Sequence, residues 1–556
     1  MTANREWVDA ILARVPATTL GADAIAAARV PDAERLDALI ASTNDAAAAW
    51  AARPAAERAA ILHAAGEELE RRRGDLLEIM AAEGGKTVDQ GDPEVSEAID
   101  FAHYYADQAL ALEQVDGARF TPAGGVLAAL AAGNAVVFKP AKLTQRCGAV
   151  VAEALWTAGV PRDVLTLVDL ADHGLGQRLV SDERIARVIL TGSIETAELF
   201  RGFRPDLRLL GETSGKNAII VTPSADLDLA VKDVVSSAFG HAGQKCSAAS
   251  LVVLVGSVAR SPRFRRQLID AVRSFTVGRP TDVTSRMGPI VEPAKGKLLR
   301  GLTTLGEGER WLVEPRKLDE TGTLWSPGVR EGVQRGSEYH LVEYFGPILG
   351  IMTADTLAEA IDIVNDVDYG LTSGLHSLNP AEVSQWVDGI HAGNLYINRG
   401  ITGAIVRRQP FGGWKKSAVG AGTKAGGPSY EFALGSWSPA EATELGTIGT
   451  EPRRVLAAAR RALEPEGVVR LERALGSDAH ALATAFAPSD VSGLECERNV
   501  LRHLPVTEPV QLRLGPDGDA ADLLRVGAAA LAAKAPFAVS SAVGLPARGD
   551  AALPGP

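Results

Sequence analysis

The sequence predicts an α/β fold built on parallel sheet, and two observations carry that expectation. From residue 124 onward, apolar runs such as AVVF, VLTLVDL, ARVIL and NAIIV recur along the chain. Between them lie stretches of ten to fifteen residues with helical spacing of apolar positions. Strands alternating with helices of that length make βαβ units, and βαβ units make parallel sheets.

Residues 1–115 read mostly as helices. AERAAILHAAGEELERRRGDLLEIMAAEGGK sets apolar residues at helical spacing behind a charged face, and Gly84-Gly85 ends the run. PEVSEAIDFAHYYADQALALE predicts a second helix. Both are packing elements in this reading, and Arg71–Arg73 is a solvated helix face. GGVLAALAAGNAVVFKPA then predicts a small-residue helix, a Gly-Asn turn, a buried strand over Ala135–Phe138 and the pair Lys139-Pro140. A helix follows over Gln145–Ala158, stopped by Gly159-Val160-Pro161. Next come a strand in VLTLVDL, a helix near GLGQRLVS, a strand in ARVILTGS, a helix from Ile194 and a strand in NAIIVTP. LDLAVKDVVSSAFGHAG is a helix leading into FGHAGQKCSAAS; LVVLVGSV is the next strand and SPRFRRQLIDAVRSF the next helix. GPILGIMTA and NLYIN are later strands. Beyond Pro439 the texture changes to Ala- and Arg-rich helical stretches, VLAAARRALEP and LLRVGAAALAAKAP, and a frayed tail, LPARGDAALPGP.

With 556 residues the chain exceeds one ordinary core, and two to four domains are expected. A net charge of −12 argues against a nucleic-acid-binding surface. No apolar stretch approaches the ~20 residues of a membrane helix, and MTANREWVDAILARVPA lacks the apolar core of a secretory signal. Cys147, Cys246 and Cys496 provide neither a disulfide framework nor metal-ligand spacing. No metal and no membrane partner are expected, and a reducing, cytoplasmic setting is the default.

Cys246 is the residue that asks for chemistry. It lies among glycines, alanines and serines at the mouth of an apolar run, where another molecule can approach the backbone. Its thiolate would be a strong nucleophile toward a carbonyl carbon. The resulting thiohemiacetal can lose hydride to a nicotinamide, leaving a thioester that needs a general base for hydrolysis. Glu212, in LLGETSGKN, is the candidate base. Lys139 directly follows a strand and is placed for a ribose hydroxyl or a phosphate. Thr191-Gly192-Ser193 opens a helix whose free N–H groups suit a diphosphate, although Ser193 is equally a plain helix cap. EYFGPIL sets Glu343 for a ribose and Phe345 for a nicotinamide ring. The G-x-G-x-x-G fingerprint is absent, since GLGQRL fails at its third glycine. No G-x-S-x-G elbow supports serine hydrolysis, and His241 and His391 are given no role.

Taken together, NAVVFKPA, ILTGSIETAELF, GETSGKNAIIV, GHAGQKCSAAS, EYFGPILG, GNLYINR and QPFGGWKKSAVG resemble the aldehyde dehydrogenase superfamily, in its order, over roughly residues 50–435. FGHAGQKCSAAS, ITGAIVRRQPFGGWKKSAVG and AGGPSY resemble its L-glutamate-γ-semialdehyde (pyrroline-5-carboxylate) dehydrogenase branch. In particular they are similar to that half of the bifunctional proline-utilisation protein. The resemblance implies an α/β fold with a Rossmann-type NAD-binding domain, an α/β catalytic domain and a small strand flap used for dimerisation. Its domains would fall at 1–45 (an N-terminal arm or linker), 46–222 (NAD-binding), 223–405 (catalytic), 406–438 (return segment and flap) and 439–556 (an appended C-terminal region). It implies NAD-dependent oxidation of glutamate semialdehyde to glutamate in proline degradation by a homodimer, with a separate proline dehydrogenase as a candidate partner. Carried over residue by residue, Cys246 is the nucleophile and Glu212 the base. Lys139, Glu343, Ser193 and Phe345 hold NAD. Ser247, Gly403 and Ala404 grip the substrate carboxylate, an anion suited to free N–H groups of short loops.

The chain departs from the family pattern at one place. It runs ARFTPAGGVLAAL, so roughly fifteen to twenty residues are lacking after Pro122, about two ordinary elements. A central strand of the nucleotide sheet and an oxyanion-binding asparagine fall in that gap. Removal of one such donor lowers rate by about 10²–10³. The alternatives are therefore a catalytically impaired or dead relative acting as a binding or assembly partner, and a thiol acyltransferase or hydrolase that needs no nucleotide.

Overall fold

The computed structural model describes residues 2–116, 118–122, 127–421, 424–440 and 443–542. The tail LPARGDAALPGP and the first residues of the helix expected from GGVLAAL lie outside them. The chain divides into two compact units, Met1–Leu112 with Pro122–Gly435, and Glu113–Thr121 with Ser436–Pro556. Among the described residues no helix is long and apolar enough to cross a membrane.

The first unit opens with helices. In Ala55–Arg71 the buried positions are Ala55, Arg58, Ala59, Leu62, Ala65, Gly66 and Leu69, one face at helical period. That face packs on the 25-residue helix Val88–Leu112. Gly66 is required there because a Cβ would stand 2.6 Å from the His103 ring. The expected stop at Gly84-Gly85 is a left-handed cap, with Gly85 at φ 66°. Residues 1–45 are not a free arm. Ile11 is buried with Leu69, Leu76 and Leu77, and Val30, Leu36 and Ile40 are buried with Val168 and Leu170. The apolar face of Ala33–Ala51 is what draws the segment in.

The part of this unit up to Glu212 is made of separate small sheets. Val136–Phe138 pairs in parallel with Leu165–Leu167, and Arg29–Val30 with Asp169–Leu170. Val188–Thr191 pairs in parallel with Leu209–Glu212, which also takes Ala418–Val419 as an antiparallel neighbour. No ladder joins the first of these sheets to the last among the described residues. Val188, Ile189 and Leu190 are accordingly only half-buried. The helix from Leu127 to Ala131 follows the strand Ala118–Pro122 within a few residues.

The rest of this unit is built on one seven-stranded sheet, in the spatial order Arg310–Val313, Gly328–Glu331, Ile348–Ala354, Ala249–Val255, Asn217–Val221, Thr372–His376, Asn394–Ile397. All neighbours are parallel except the first pair. Ala218–Val221 and Leu251–Val253 are fully buried, as strands covered on both faces are. Leu227–Phe239 is the crossover helix between the two central strands, and its buried Val234, Ala238 and Phe239 join their core. The edge pair Arg310–Val313 and Gly328–Glu331 holds the ion pair Arg330–Glu309 at 2.7 Å, both side chains almost wholly out of solvent.

The second unit is small. Strands Val510–Leu514 and Phe537–Ser541 pair in parallel through the crossover helix Ala520–Ala532, and Thr450–Ala462 and Pro465–Ala483 pack on that helix. Its core is Val455, Leu456, Ala459, Leu471, Leu475 and Ala528. The Phe120 and Trp437 rings stack edge to face at 5.1 Å, and both residues belong to this unit. Breaking the Arg330–Glu309 pair strands a buried guanidinium. Glu309→Ala is expected to lower stability by about 3–5 kcal/mol, measured by chemical denaturation.

Candidate functional site

The site gathers where the carboxyl end of one strand faces the amino ends of several others. Glu212 closes Leu209–Glu212, whereas Asn217 begins its strand and Cys246 and Phe345 shortly precede theirs. The turn Thr213–Lys216 links the small sheet to the large one, and its groups reach every side of the site. The Asn217 side chain donates to the carbonyls of Cys246 at 2.7 Å and Ala248 at 3.0 Å, and accepts from the Thr372 N–H at 3.0 Å. Gly215 N–H donates to Glu343 Oε1 at 2.9 Å. A Cβ on Gly215 would lie 2.8 Å from the Cys246 carbonyl oxygen, so only glycine permits the approach. Ser417 fixes the turn from the other side, donating to Ser214 O at 2.7 Å while its own carbonyl accepts from Thr213 N–H.

The approach to Cys246 is left-handed. His241, Ala242 and Gly243 stand at φ 50°, 53° and 66°. Two non-glycine residues in that region are costly and are held by their surroundings. Gly243 tucks under Gly346, where a side chain would collide with the Gly346 carbonyl. Gln244 donates to Phe345 O at 3.3 Å and accepts from Val291 N–H at 2.9 Å. Phe345, itself at φ 55°, keeps its ring 40% exposed, free for a ligand to pack on.

Electrostatics tie the pieces together. Burial pushes the Cys246 thiol up to about 12; the Glu212, Glu343 and Glu97 carboxylates add to that rise, and the Ser247 N–H opposes it by donating toward the sulfur. Burial also raises Glu212 to about 7, with Lys424 pulling down and Glu97 pushing up. Lys424 donates to Gly393 O and Gly412 O, each at 2.7 Å, and is drawn down to about 8 by burial. Glu97 reaches about 7 through burial and the charge of Glu94. Glu343 is raised by burial, against the Gly215 N–H and the Ser214 hydroxyl. Burial holds His241 down near 3, so it stays neutral.

Cys246, Glu212 and Glu343 therefore share one neighbourhood. Ser247 is buried beside Cys246, its carbonyl accepting from Thr372 Oγ1 at 3.3 Å. Ser193 caps Ile194–Phe203 through the Thr196 N–H at 3.3 Å, and Gly192 N–H donates to Glu212 O at 3.1 Å. Gly403 sits at φ 77° with open space beyond it, and Ala404 follows in the same loop. Lys139 is exposed on the detached sheet, and its nearest polar contact is Pro140 O at 3.5 Å. Sequence reasoning passed over Asn217, Gly215, Lys424 and Glu97. Asn217 and Gly215 lay inside a quoted motif, whereas Glu97 lay on a helix read as packing. Among the described residues no cluster suits a metal ion.

A sequence model of the aldehyde dehydrogenase family matches residues 14–122 and 118–434, two stretches that meet where the strand Ala118–Pro122 ends. The chain belongs to that family. It is 35% identical to the bifunctional protein PutA of Salmonella typhimurium over 428 residues, covering 71% of this chain and 32% of that one. It is 32% identical to the 1-pyrroline-5-carboxylate dehydrogenase of Bacillus subtilis, covering 68% and 80%. Among solved structures, proline utilization A from Corynebacterium freiburgense superposes with a TM-score of 0.84 at 45% identity, covering 95% of this chain and 55% of that one. A Thermus 1-pyrroline-5-carboxylate dehydrogenase with bound NAD superposes with a TM-score of 0.66 at 29% identity, covering 73% and 85%. The chain thus spans about a third of the Salmonella protein and about half of the Corynebacterium one.

Removing the Asn217 amide frees two buried carbonyls and one N–H. Asn217→Ala is expected to cost about 1–3 kcal/mol in chemical denaturation. Because the Glu212 carboxylate raises the thiol, Glu212→Gln should lower the Cys246 pKa. Iodoacetamide labelling of Cys246 at pH 8.5, followed by mass spectrometry, should then run faster in Glu212→Gln than in the wild type.

Proposed function

We propose that the chain oxidises L-glutamate-γ-semialdehyde to L-glutamate with NAD as the hydride acceptor, a step of proline degradation. The observation that carries this reading is the joint placement of one thiol, Cys246, with a carboxylate held near neutrality, Glu212. The 1-pyrroline-5-carboxylate dehydrogenase and PutA relatives support the substrate class, and the NAD-bound Thermus structure supports the cofactor.

The residues fit NAD at its nicotinamide end. Phe345 offers an exposed ring, and the Glu343 carboxylate is anchored through one oxygen by Gly215 N–H, beside the Cys246 sulfur. Ser193 and Lys139 would hold the diphosphate and the second ribose. When bound, NAD would supply the acceptor for hydride.

The rest is work for this chain's side chains. Glu212 accepts the thiol proton as the Cys246 sulfur bonds to the aldehyde carbon and the carbonyl π bond opens onto oxygen. The Cys246 backbone N–H, which makes no hydrogen bond among the described residues, faces no competitor for that oxygen. After hydride has left the carbon, Cys246 carries the acyl group as a thioester. Glu212, having passed its first proton to solvent, takes a proton from water, whose oxygen attacks the thioester carbon and releases glutamate and the thiol. Ser247, Gly403 and Ala404 are proposed to seat the substrate's α-carboxylate. The division into a cofactor-holding part at 46–222 and a catalytic part at 223–405 belongs to the same proposal. So do a homodimer formed through the flap, a separate proline dehydrogenase as supplier and a cytoplasmic setting.

The separated nucleotide sheets favour one second reading, a relative that binds or assembles without turnover. NAD⁺ and glutamate semialdehyde given to purified protein should yield NADH, and Cys246→Ala should reduce it to background. Absence of NADH above that background, with no saturable NAD⁺ binding, would select the second reading. Glu212 must be ionised to act as base, so kcat should rise with pH through about 7. In Glu212→Gln that rise should vanish and kcat fall by about 10²-fold or more.

A further inference from the structure

The turn that holds Cys246 and the segment that carries Glu343 and Phe345 meet twice. One meeting is polar, Gly215 N–H and the Ser214 hydroxyl on the Glu343 carboxylate. The other is made by Lys216, which no step above uses. Lys216 is 3% exposed, and its ammonium makes no hydrogen bond among the described residues. Its Nζ lies 4.2 Å from the Tyr339 ring centroid and 5.5 Å from that of Tyr344, two rings stacked at 5.1 Å. Arg330 stands 4.2 Å from the same Tyr339 ring, its own charge answered by Glu309. A buried cation without hydrogen bonds is unfavourable unless something replaces water. Here aromatic faces do so, an attraction that strengthens with desolvation. Burial nevertheless draws Lys216 down to about 7, with Glu343 opposing and Arg330 adding to the fall.

We infer that Lys216 is a positioning residue: its ammonium, held on the Tyr339 and Tyr344 rings, pins the segment bearing Glu343 and Phe345 against the turn that joins Glu212 to Asn217, whose side chain grips the Cys246 loop. It keeps the cofactor-holding and covalent halves of the site in register. The functional side of this inference rests on the proposed dehydrogenase reading, because Glu343 and Phe345 hold cofactor only within it. The structural side does not.

The test uses the full chain at pH 6.5, below the value of about 7 to which burial draws Lys216, so that the ammonium form predominates. Lys216→Met should speed amide hydrogen exchange in residues 339–345 by about tenfold or more while the central strands Asn217–Val221 and Ala249–Val255 stay protected. In the same variant KM for NAD⁺ should rise about tenfold with kcat within about twofold of wild type. Tyr344→Leu should reproduce both effects, the double variant should add nothing further, and Tyr344→Phe, which keeps the ring, should behave as wild type. If Lys216→Met does not accumulate folded, Tyr344→Leu carries the same readings. Unchanged exchange in 339–345, or protection lost across the whole sheet, would overturn the inference. A wild type that makes no NADH while the local exchange pattern holds would sink the dehydrogenase reading and leave the clamp standing.

Discussion

The site depends on one short turn. Thr213–Lys216 is the covalent bridge between a small sheet ending at Glu212 and a large sheet beginning at Asn217, and Asn217 is its anchor. A primary amide has two donors and a two-lone-pair acceptor, and Asn217 spends them on two carbonyls of the Cys246 loop and the N–H of Thr372. Those partners belong to segments flanking it on either side in the sheet. The placement of a carboxylate and a sulfur 34 positions apart in the chain is thus fixed by one buried side-chain amide hydrogen-bonded to backbone groups on both sides. The close approach at Gly215 is the steric counterpart of the same constraint.

Around that anchor the protein crowds like charges. Glu212, Glu97 and Glu343 all act on the Cys246 sulfur, and burial amplifies each of them. Burial, with these carboxylates, therefore favours the protonated thiol, and a protonated thiol is slow to oxidise or alkylate. Burial first, and neighbouring carboxylates second, raise Glu212 and Glu97 to about 7, which puts Glu212 where a carboxylate exchanges protons readily at neutral pH. Lys424, Lys86 and Lys245 supply the opposing charge; Lys86 reaches Glu94 at 2.6 Å and Lys245 reaches it at 3.5 Å.

The part of the first unit up to Glu212 shows what a strand contributes. Among the described residues Val136–Phe138 and Val188–Thr191 each pair on one side only, and the apolar residues of the second are only half-buried, in contrast to the sealed seven-stranded sheet. Lys139 stands on one piece and Ser193 on the other. Their spacing is set by helix packing instead of by a continuous ladder, a weaker constraint, because packing tolerates sliding whereas ladder register does not.

By itself the sequence determined the elements whose pattern is local. Apolar runs and small-residue turns were enough for the strands Val136–Phe138, Leu165–Leu167, Val188–Thr191, Asn217–Val221, Ala249–Val255, Ile348–Ala354 and Asn394–Ile397, the Gly85 stop and the Cys246 loop, but not for Leu209–Glu212 or Thr372–His376. Cys246, Glu212, Glu343 and Phe345 were legible because their motifs are short and contiguous. The tertiary structure decided what depends on distant partners: the packing of residues 1–45 into the first unit, the edge strands Arg310–Val313 and Gly328–Glu331, and the roles of Asn217, Lys424, Glu97 and Lys216. A lysine in a Gly-Lys-Asn turn reads as solvated until two tyrosines more than a hundred residues away close over it. Burial and long-range charge are properties of the folded neighbourhood, and no local pattern encodes them.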